Sequence, residues 1–254
     1  MKTWKVTLEF DGTRYHGWQE QRNARSVMGA LREVIEPSFG APVELMGAGR
    51  TDSGVHALGQ VMHIKLPASD RRTTFPSLAK LQREWNDRLP ADIAILHIEE
   101  AAPRFHARHD ALTRAYVYQI ATRKSAFSKR HVWWIKDSLD VPAMQAAARL
   151  LPGRHDFVKF AAKDPSRPNE STIVVVDSAE IADEDHLLTI RLEASHFLWR
   201  MVRRVVGVLV KVGSAEVTLQ QFEELLQGRG GKELDVAAWT APASGLFLES
   251  VTYP

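Results

Sequence analysis

The stretch Gly47-Ala-Gly-Arg-Thr-Asp-Ser-Gly-Val-His-Ala-Leu-Gly-Gln60 gathers four glycines with one Arg, one Asp and one His. Glycine permits backbone geometry and close approach that other residues prohibit. A carboxylate such as Asp52 in that setting can serve as a general base or a nucleophile. The plainer alternative is that Asp52 bonds its own backbone in an Asx-turn and Arg50 is an ordinary surface residue. The loop lacks the G-x-x-x-x-G-K-[ST] pattern of a nucleoside-triphosphate loop and does not open a helix, which disfavours a small-molecule enzyme that grips phosphate there. His106 and His109 stand three apart, as a metal pair can, but no nearby set of carboxylates completes a site. With no cysteine in the chain, thiolate metal sites and disulfides are excluded. No metal is expected.

Charge alone does not identify a partner, because 33 Lys and Arg stand against 31 Asp and Glu. Local clustering says more. Arg104, Arg108, His109 and Arg114 form one group, and Arg123, Lys124, Lys129, Arg130 and His131 a second. Arg200, Arg203, Arg204 and Lys211 form a third. Brought together by the fold, such groups make a phosphate-binding surface; apart, they are solvated faces. The start, MKTWKVTLEF, is too polar for a signal peptide. The most apolar run, Val205 to Val212, falls far short of the roughly 20 residues of a membrane span. Absence of cysteine suits a reducing cytoplasm.

Two sets of elements must position these residues. Trp4, Val6, Leu8 and Phe10 alternate with polar residues and predict a strand. Ser26 caps a helix with Val27, Met28, Leu31, Val34 and Ile35 on one face, stopped by Pro37. Strands are expected around 43–47 and 59–66. A helix opening at Pro76 and Ser77 carries Leu78, Leu81 and Trp85, and a strand follows from Ile93 to Ile98. The order βαββαβ is a split-βαβ pattern that makes an antiparallel sheet backed by helices. The second half repeats it loosely. Tyr116, Tyr118 and Ile120 alternate on a strand, and Asp140 caps a helix with Met144, Ala147, Ala148 and Leu151 that ends before Gly153. Ile173–Ile181 and Leu187–Ala194 flank a hairpin turn at Asp183-Glu184-Asp185. A helix is expected from about His196 to Val212, apolar on one face, with Arg200, Arg204 and Lys211 opposite and Arg203 at the edge. Thr218 and Gln221 form a capping box for a helix ending at Gly228, and Leu246, Leu248 and Val251 read as a last strand. Asp164 to Glu170 reads as a surface loop and Gln227 to Gly231 as a flexible stretch.

The chain resembles the tRNA pseudouridine synthase A family. The loop Gly49-Arg-Thr-Asp-Ser-Gly-Val-His56, followed by Gly59-Gln60-Val61, is similar to that family's signature. Further matches stand in the family's order: Phe10-Asp-Gly-Thr-Arg-Tyr-His-Gly-Trp-Gln19, Asn86 to Pro90, Phe105-His-Ala-Arg108, Arg114-Ala-Tyr-Val-Tyr118, Gly153-Arg-His-Asp-Phe157, Phe197-Leu-Trp-Arg-Met-Val-Arg203 and Ala241-Pro-Ala-Ser-Gly-Leu246. They span nearly the whole chain.

The resemblance implies an α+β pseudouridine synthase fold: two similar βαββαβ-type halves, 1–104 and 105–254, with antiparallel sheets, helices on one side and a central basic cleft. It implies isomerisation of uridine to pseudouridine in the anticodon stem-loop of tRNA, at positions 38, 39 and 40, by a cytoplasmic homodimer with no cofactor. It makes Asp52 the catalytic carboxylate and Tyr116 the aromatic that stacks on the target base. Arg203 pairs with the aspartate, Leu246 lines the uracil pocket, and Arg50 helps hold or flip the nucleotide. Attack on the sugar, attack on the base and abstraction of a proton all remain open to Asp52. The chain departs from the family pattern at His196, at Glu170-Ser171 and at Glu20, each of which removes positive charge or changes shape near expected RNA contacts. A catalytically idle RNA-binding or RNA-folding protein on the same fold is the alternative.

Overall fold

The computed structural model describes residues 2–66, 75–163, 171–230 and 233–254. The expected loop Asp164 to Glu170 and the end of the stretch Gln227 to Gly231 lie outside them. Against the expected halves 1–104 and 105–254, compactness groups Met1–Leu112 with Leu248–Pro254 as one unit, and Thr113–Phe247 as the other. Residues beyond 104 join the first unit for a visible reason. The Tyr253 hydroxyl donates to the Ala107 carbonyl (2.7 Å) and its ring meets Phe105 at 5.2 Å. Leu112 N–H donates to Thr252 O (2.9 Å).

Unit 1 runs β1 (Thr3–Phe10), α1 (Val27–Ile35), β2 (Glu44–Gly47), β3 (His56–Lys65), α2 (Leu78–Arg88) and β4 (Ile93–Ala101). The strands pair antiparallel in the order β4-β1-β3-β2. This is the βαββαβ order read from the sequence. The Ser26 hydroxyl accepts from Gly29 N, and that of Ser77 from Lys80 N, so both helices begin where their caps are written. All five predicted apolar positions of α1 are buried. Trp4 of β1 meets Phe39, and Phe39 meets Trp85 of α2, so the apolar side of β1 and the helix share one core. Burying each such aromatic contributes about 1.5–3 kcal/mol.

Unit 2 runs β5 (Arg114–Ala121), β6 (Trp133–Trp134), α3 (Val141–Ala148), β7 (Gly153–Asp156), β8 (Ile173–Glu184), β9 (Leu187–Ala194), α4 (Met201–Gly213) and α5 (Leu219–Leu226), and contains the start of β10 (Leu246–Val251). β5, β9, β8 and β7 pair antiparallel in that order, and β6 lies parallel to β5. The Asp140 cap and the Thr218–Gln221 capping box are both present.

Several boundaries differ from the sequence reading: β3 begins at His56 rather than near 59, and β4 and β8 run on to Ala101 and Glu184 rather than ending at Ile98 and Ile181. The β8–β9 turn is Asp185-His186, at φ 46° and 71°, not residues 183–185. Helix α4 begins at Met201 rather than His196, because Arg200 takes a left-handed φ of 60° and breaks the run. Val206, Val208 and Val210 are buried as well, so α4 is covered on more than the single face expected. Helix α3 ends at Ala148, yet Leu151 is still buried beyond it.

Candidate active site

Residues 48–55 connect β2 to β3 and carry Arg50 and Asp52. The connection is held by the segment after β1. Trp18 N–H donates to Thr51 O (3.1 Å), and Gly54 N–H donates to Tyr15 O (3.3 Å). The Ser53 hydroxyl donates to the same Tyr15 oxygen (3.2 Å), and Gly12 N–H donates to Nδ1 of buried His56 (3.1 Å). From the other side, the Gln60 side chain donates to Gly49 O (3.2 Å) and Ala48 N–H to Val61 O (2.7 Å). Within the loop, Val55 N–H donates to Asp52 O (3.2 Å), and Gly54 supplies the φ of 78° that the turn requires.

Glycine is needed where backbones meet. A Cβ on Gly12 would overlap the Val55 carbonyl, and one on Gly17 would stand 2.6 Å from Thr51 O. A Cβ on Gly47 would stand 2.7 Å from the Trp18 ring. Tyr15 is buried, and its hydroxyl donates to Asp92 and accepts from Arg25. Burial, with the Asp92 carboxylate adding to it, drives that hydroxyl well above the ordinary tyrosine range. The result is a half-buried Asp52 and an exposed Arg50 on a backbone fixed from both flanks. Such preorganisation is what a reacting carboxylate requires.

Unit 2 holds Tyr116, Arg203 and Leu246 on regular elements. Half-buried Tyr116 lies on β5, opposite Leu192 of β9, with its ring edge-on to Phe197 at 5.1 Å. Arg203 lies in the first turn of α4. Its Nε donates to Ala241 O (2.7 Å) while Ala241 N–H donates to Arg203 O (3.0 Å), a two-way tie that sets its direction. Leu246 is buried at the start of β10, after a short helical turn over Ala243–Gly245. Tyr118 fixes that turn. Its hydroxyl donates to Pro242 O (2.8 Å), and a Cβ on Gly245 would stand 2.7 Å from its ring. Burial pushes the Tyr118 hydroxyl up, while the charge of Arg203 acts the other way.

His106 and His109 lie in unit 1, with ring centroids 4.2 Å apart. His106 Nδ1 accepts from the N–H groups of Arg108 (3.2 Å) and His109 (3.3 Å), which closes its own turn. His63 is buried, accepts from Ala107 N–H (3.0 Å) and faces Glu44 at 2.9 Å. The Nδ1 atoms of His63 and His106 thus accept from backbone, while His63 Nε2 meets the Glu44 carboxylate.

The family model described as tRNA pseudouridine synthase matches residues 7–110 and 147–254. A protein of Thermotoga sp. (strain RQ2) named tRNA pseudouridine synthase A is 36% identical over 255 residues, all of both chains. One of Chloroflexus aurantiacus with the same name is 40% identical over 260 residues, covering 100% of this chain and 90% of that one. A Bacillus cereus protein named tRNA pseudouridine synthase A 2 is 32% identical over the full length of both. The chain belongs to the tRNA pseudouridine synthase family.

Membership gives the segment Phe10 to Gln19 a physical meaning that its residue types do not announce. Gly12, Tyr15, Gly17 and Trp18 are the scaffold on which this pseudouridine synthase chain hangs its aspartate loop. Spacing could have pointed to them, since two glycines and two aromatics within eight residues of a strand end suit close backbone contact. Tyr118 is the counterpart in unit 2. Of the departures, Glu20 accepts from Arg32 Nε (2.9 Å), so its charge is used on α1. His196 is exposed, with Nδ1 3.1 Å from Ser195 Oγ. Glu170 lies outside the described residues.

Proposed function

We propose that this chain isomerises uridine to pseudouridine in the anticodon stem-loop of tRNA, at positions 38, 39 and 40, with Asp52 as the carboxylate that acts as nucleophile or base. One observation carries the reading: in a chain of the tRNA pseudouridine synthase family, the half-buried Asp52 stands in a glycine-rich loop whose backbone is bonded on both flanks. The reaction breaks the N1–C1′ bond and joins C5 to C1′. The C5 hydrogen leaves to solvent and N1 gains a proton, so no redox partner is consumed. The target base must leave its stack to be reached. In this reading Tyr116 stacks on it, Leu246 supplies an apolar wall, Arg203 pairs with the carboxylate and Arg50 holds or flips the nucleotide. The basic clusters grip the backbone, so affinity falls with salt. The enzyme works in the cytoplasm as a homodimer in which both subunits hold one tRNA, and sedimentation with and without tRNA tests that. Among the described residues no helix is long and apolar enough to cross a membrane.

The deciding experiment is tritium release from tRNA transcripts labelled at C5 of uridine, with wild type and Asp52→Ala side by side. Release by wild type alone is expected, with a loss of at least 10³-fold in the variant. Release by both would remove Asp52 from its role. Binding without release by either would leave the idle RNA-binding protein.

A further inference from the structure

Residues 122–132, which leave the end of the strand that carries Tyr116, form an unusual surface within unit 2. Both ends are anchored. Thr122 N–H donates to His186 O (2.9 Å), Ile135 N–H to Ala121 O (2.9 Å), and the Ser244 hydroxyl to Val132 O (3.3 Å). The tip is also shaped. The Ser125 hydroxyl oxygen accepts from the N–H groups of both Phe127 and Ser128 (3.3 Å each), and His131 N–H donates to Ser128 O (2.8 Å). This ordered turn holds Phe127 out in solvent at 96% exposure. Phe157, Phe160 and Phe222 of the same unit are fully buried.

A single exposed apolar residue is ordinary on a protein surface. What sets this one apart is its surroundings. Arg123, Lys124, Lys129 and Arg130 flank it and are all exposed, and no Asp or Glu occurs between Thr122 and Lys136. The Lys124 ammonium lies 5.6 Å from the ring of Trp134, which is itself 44% exposed. An aromatic held outward by a bonded turn that carries four cations and no acidic residue is complementary to a base between phosphates.

We propose that Phe127 stacks on a nucleobase of the bound tRNA while Arg123, Lys124, Lys129 and Arg130 take the adjoining phosphates. The turn is thereby an RNA-holding element in addition to the residues that serve the reacting uridine. The proposal rests on the reading of the chain as a tRNA-modifying enzyme. A polyanionic partner with flat apolar faces fits this turn, and a second copy of the chain is an outcome that the test below separates from it.

The test measures filter-binding affinity for an unmodified tRNA transcript across a salt series, together with tritium release, for wild type, Phe127→Ala, Phe127→Leu, Phe127→Trp and the double variant Arg123→Gln/Lys129→Gln. Phe127→Ala and Phe127→Leu are expected to weaken binding about tenfold, the scale of one aromatic–base stack. The slope of log affinity against log salt should stay that of wild type, because no phosphate contact is lost. Phe127→Trp restores affinity, and release at saturating tRNA is unchanged in all three. The double variant lowers the slope by about two. Wild-type affinity in Phe127→Leu would overturn stacking. So would a loss confined to self-association in sedimentation, or to binding of vesicles of anionic lipid. If wild type releases no tritium but Phe127→Ala still loses tRNA affinity, the proposed activity fails and the RNA contact stands. If wild type releases tritium and Phe127→Ala binds tRNA as wild type does, the reverse holds.

Discussion

The two units use one strand order to different ends. In unit 1, β2 and β3 neighbour β1 in the order β2-β3-β1; in unit 2, β8 and β9 neighbour β5 in the order β8-β9-β5. The connection between the hairpin strands is where they diverge. Unit 1 opens it into residues 48–55, with the aspartate and its glycines, whereas unit 2 closes it with Asp185-His186 alone. Unit 2 places its candidate residues on elements whose geometry is already regular: Tyr116 on a strand and Arg203 in the first turn of a helix. A loop must be fixed by other segments, and a strand or helix position is fixed by its own hydrogen bonds. Unit 1 therefore spends a whole segment, residues 12–18, on supporting its loop.

The largest expected effect tests this support. Gly12→Ala puts a methyl group onto the Val55 carbonyl, and Gly207→Ala in α4 puts one onto the Trp239 carbonyl. Both clashes involve backbone, so something must move, at about 1–3 kcal/mol or more. In unit 1 the part that yields is the aspartate loop, where a displacement of about 1 Å can cost 10²-fold in rate. Gly12→Ala should therefore lose about 100-fold in tritium release while its thermal midpoint falls by only a few degrees. Gly207→Ala should show the opposite weighting, with stability hit first, because α4 is packed on most of its sides. Equal loss of rate and stability in both variants would dissolve the distinction between a hung loop and a built-in element.

The next effect is in unit 2. Tyr118→Phe leaves the Pro242 carbonyl without its buried donor, which costs about 1–2 kcal/mol in urea unfolding. It also frees the turn before Leu246, so the Michaelis constant should rise by more than the turnover number falls. An unaltered Michaelis constant would reduce Tyr118 to a core residue.

These cases also show how far the sequence alone could be read. Elements announced by side chains were legible: the caps Ser26, Ser77, Asp140 and Thr218 each start the helix that their position predicts. The aspartate loop was legible as a place where chemistry could occur, because its glycines and ionisable groups are unusual together. Features that depend on positive φ at residues other than glycine were not. Arg200 gives no sign in its residue type, and Asp185, although read as part of the turn, does not mark which two residues take positive φ; they displaced a helix start and a turn. The return of residues 248–254 to unit 1 depends on contacts such as Tyr253 with Ala107, which pattern and propensity do not contain.

A smaller difference between the units is their response to acid. The histidines with depressed basicity, His63 and His106, both belong to unit 1. Burial is the first cause for each; Lys65 lowers both, His106 lowers His63, His109 lowers His106, Glu44 opposes the shift in both, and Asp110 opposes it in His106. A histidine whose folded pKa lies below its ordinary value of 6.5 binds its proton more readily unfolded. Its contribution is complete above about pH 6.5 and is lost as the pH falls toward the folded value. Glu44, held low first by its hydrogen bond with His63, acts in the same direction further down, below its ordinary 4.5. Hydrogen exchange at pH 8 and pH 5.5 should show protection falling in unit 1 before unit 2, and His63→Gln should flatten that difference. Uniform loss across both units would sink the assignment.

The smallest expected effect concerns the slot that unit 2 leaves closed. Asp185 and His186 both hold positive φ, which a two-residue hairpin turn demands and which costs most side chains about 1–2 kcal/mol per residue. The turn is exposed, and the bonds it makes to Thr122 use the His186 carbonyl rather than its ring. Asp185→Asn with His186→Gly keeps that carbonyl and removes most of the strain. The gain should be about 1 kcal/mol, seen as a rise of roughly 2–4 °C in the thermal midpoint. Tritium release should stay at the wild-type level, since this connection carries none of the candidate chemistry. The same topological slot in unit 1 tolerates nothing comparable: replacing residues 48–55 by a two-residue turn would remove Asp52 itself. A change in release on altering Asp185 and His186 would mean that the closed turn, like the open loop, takes part in function.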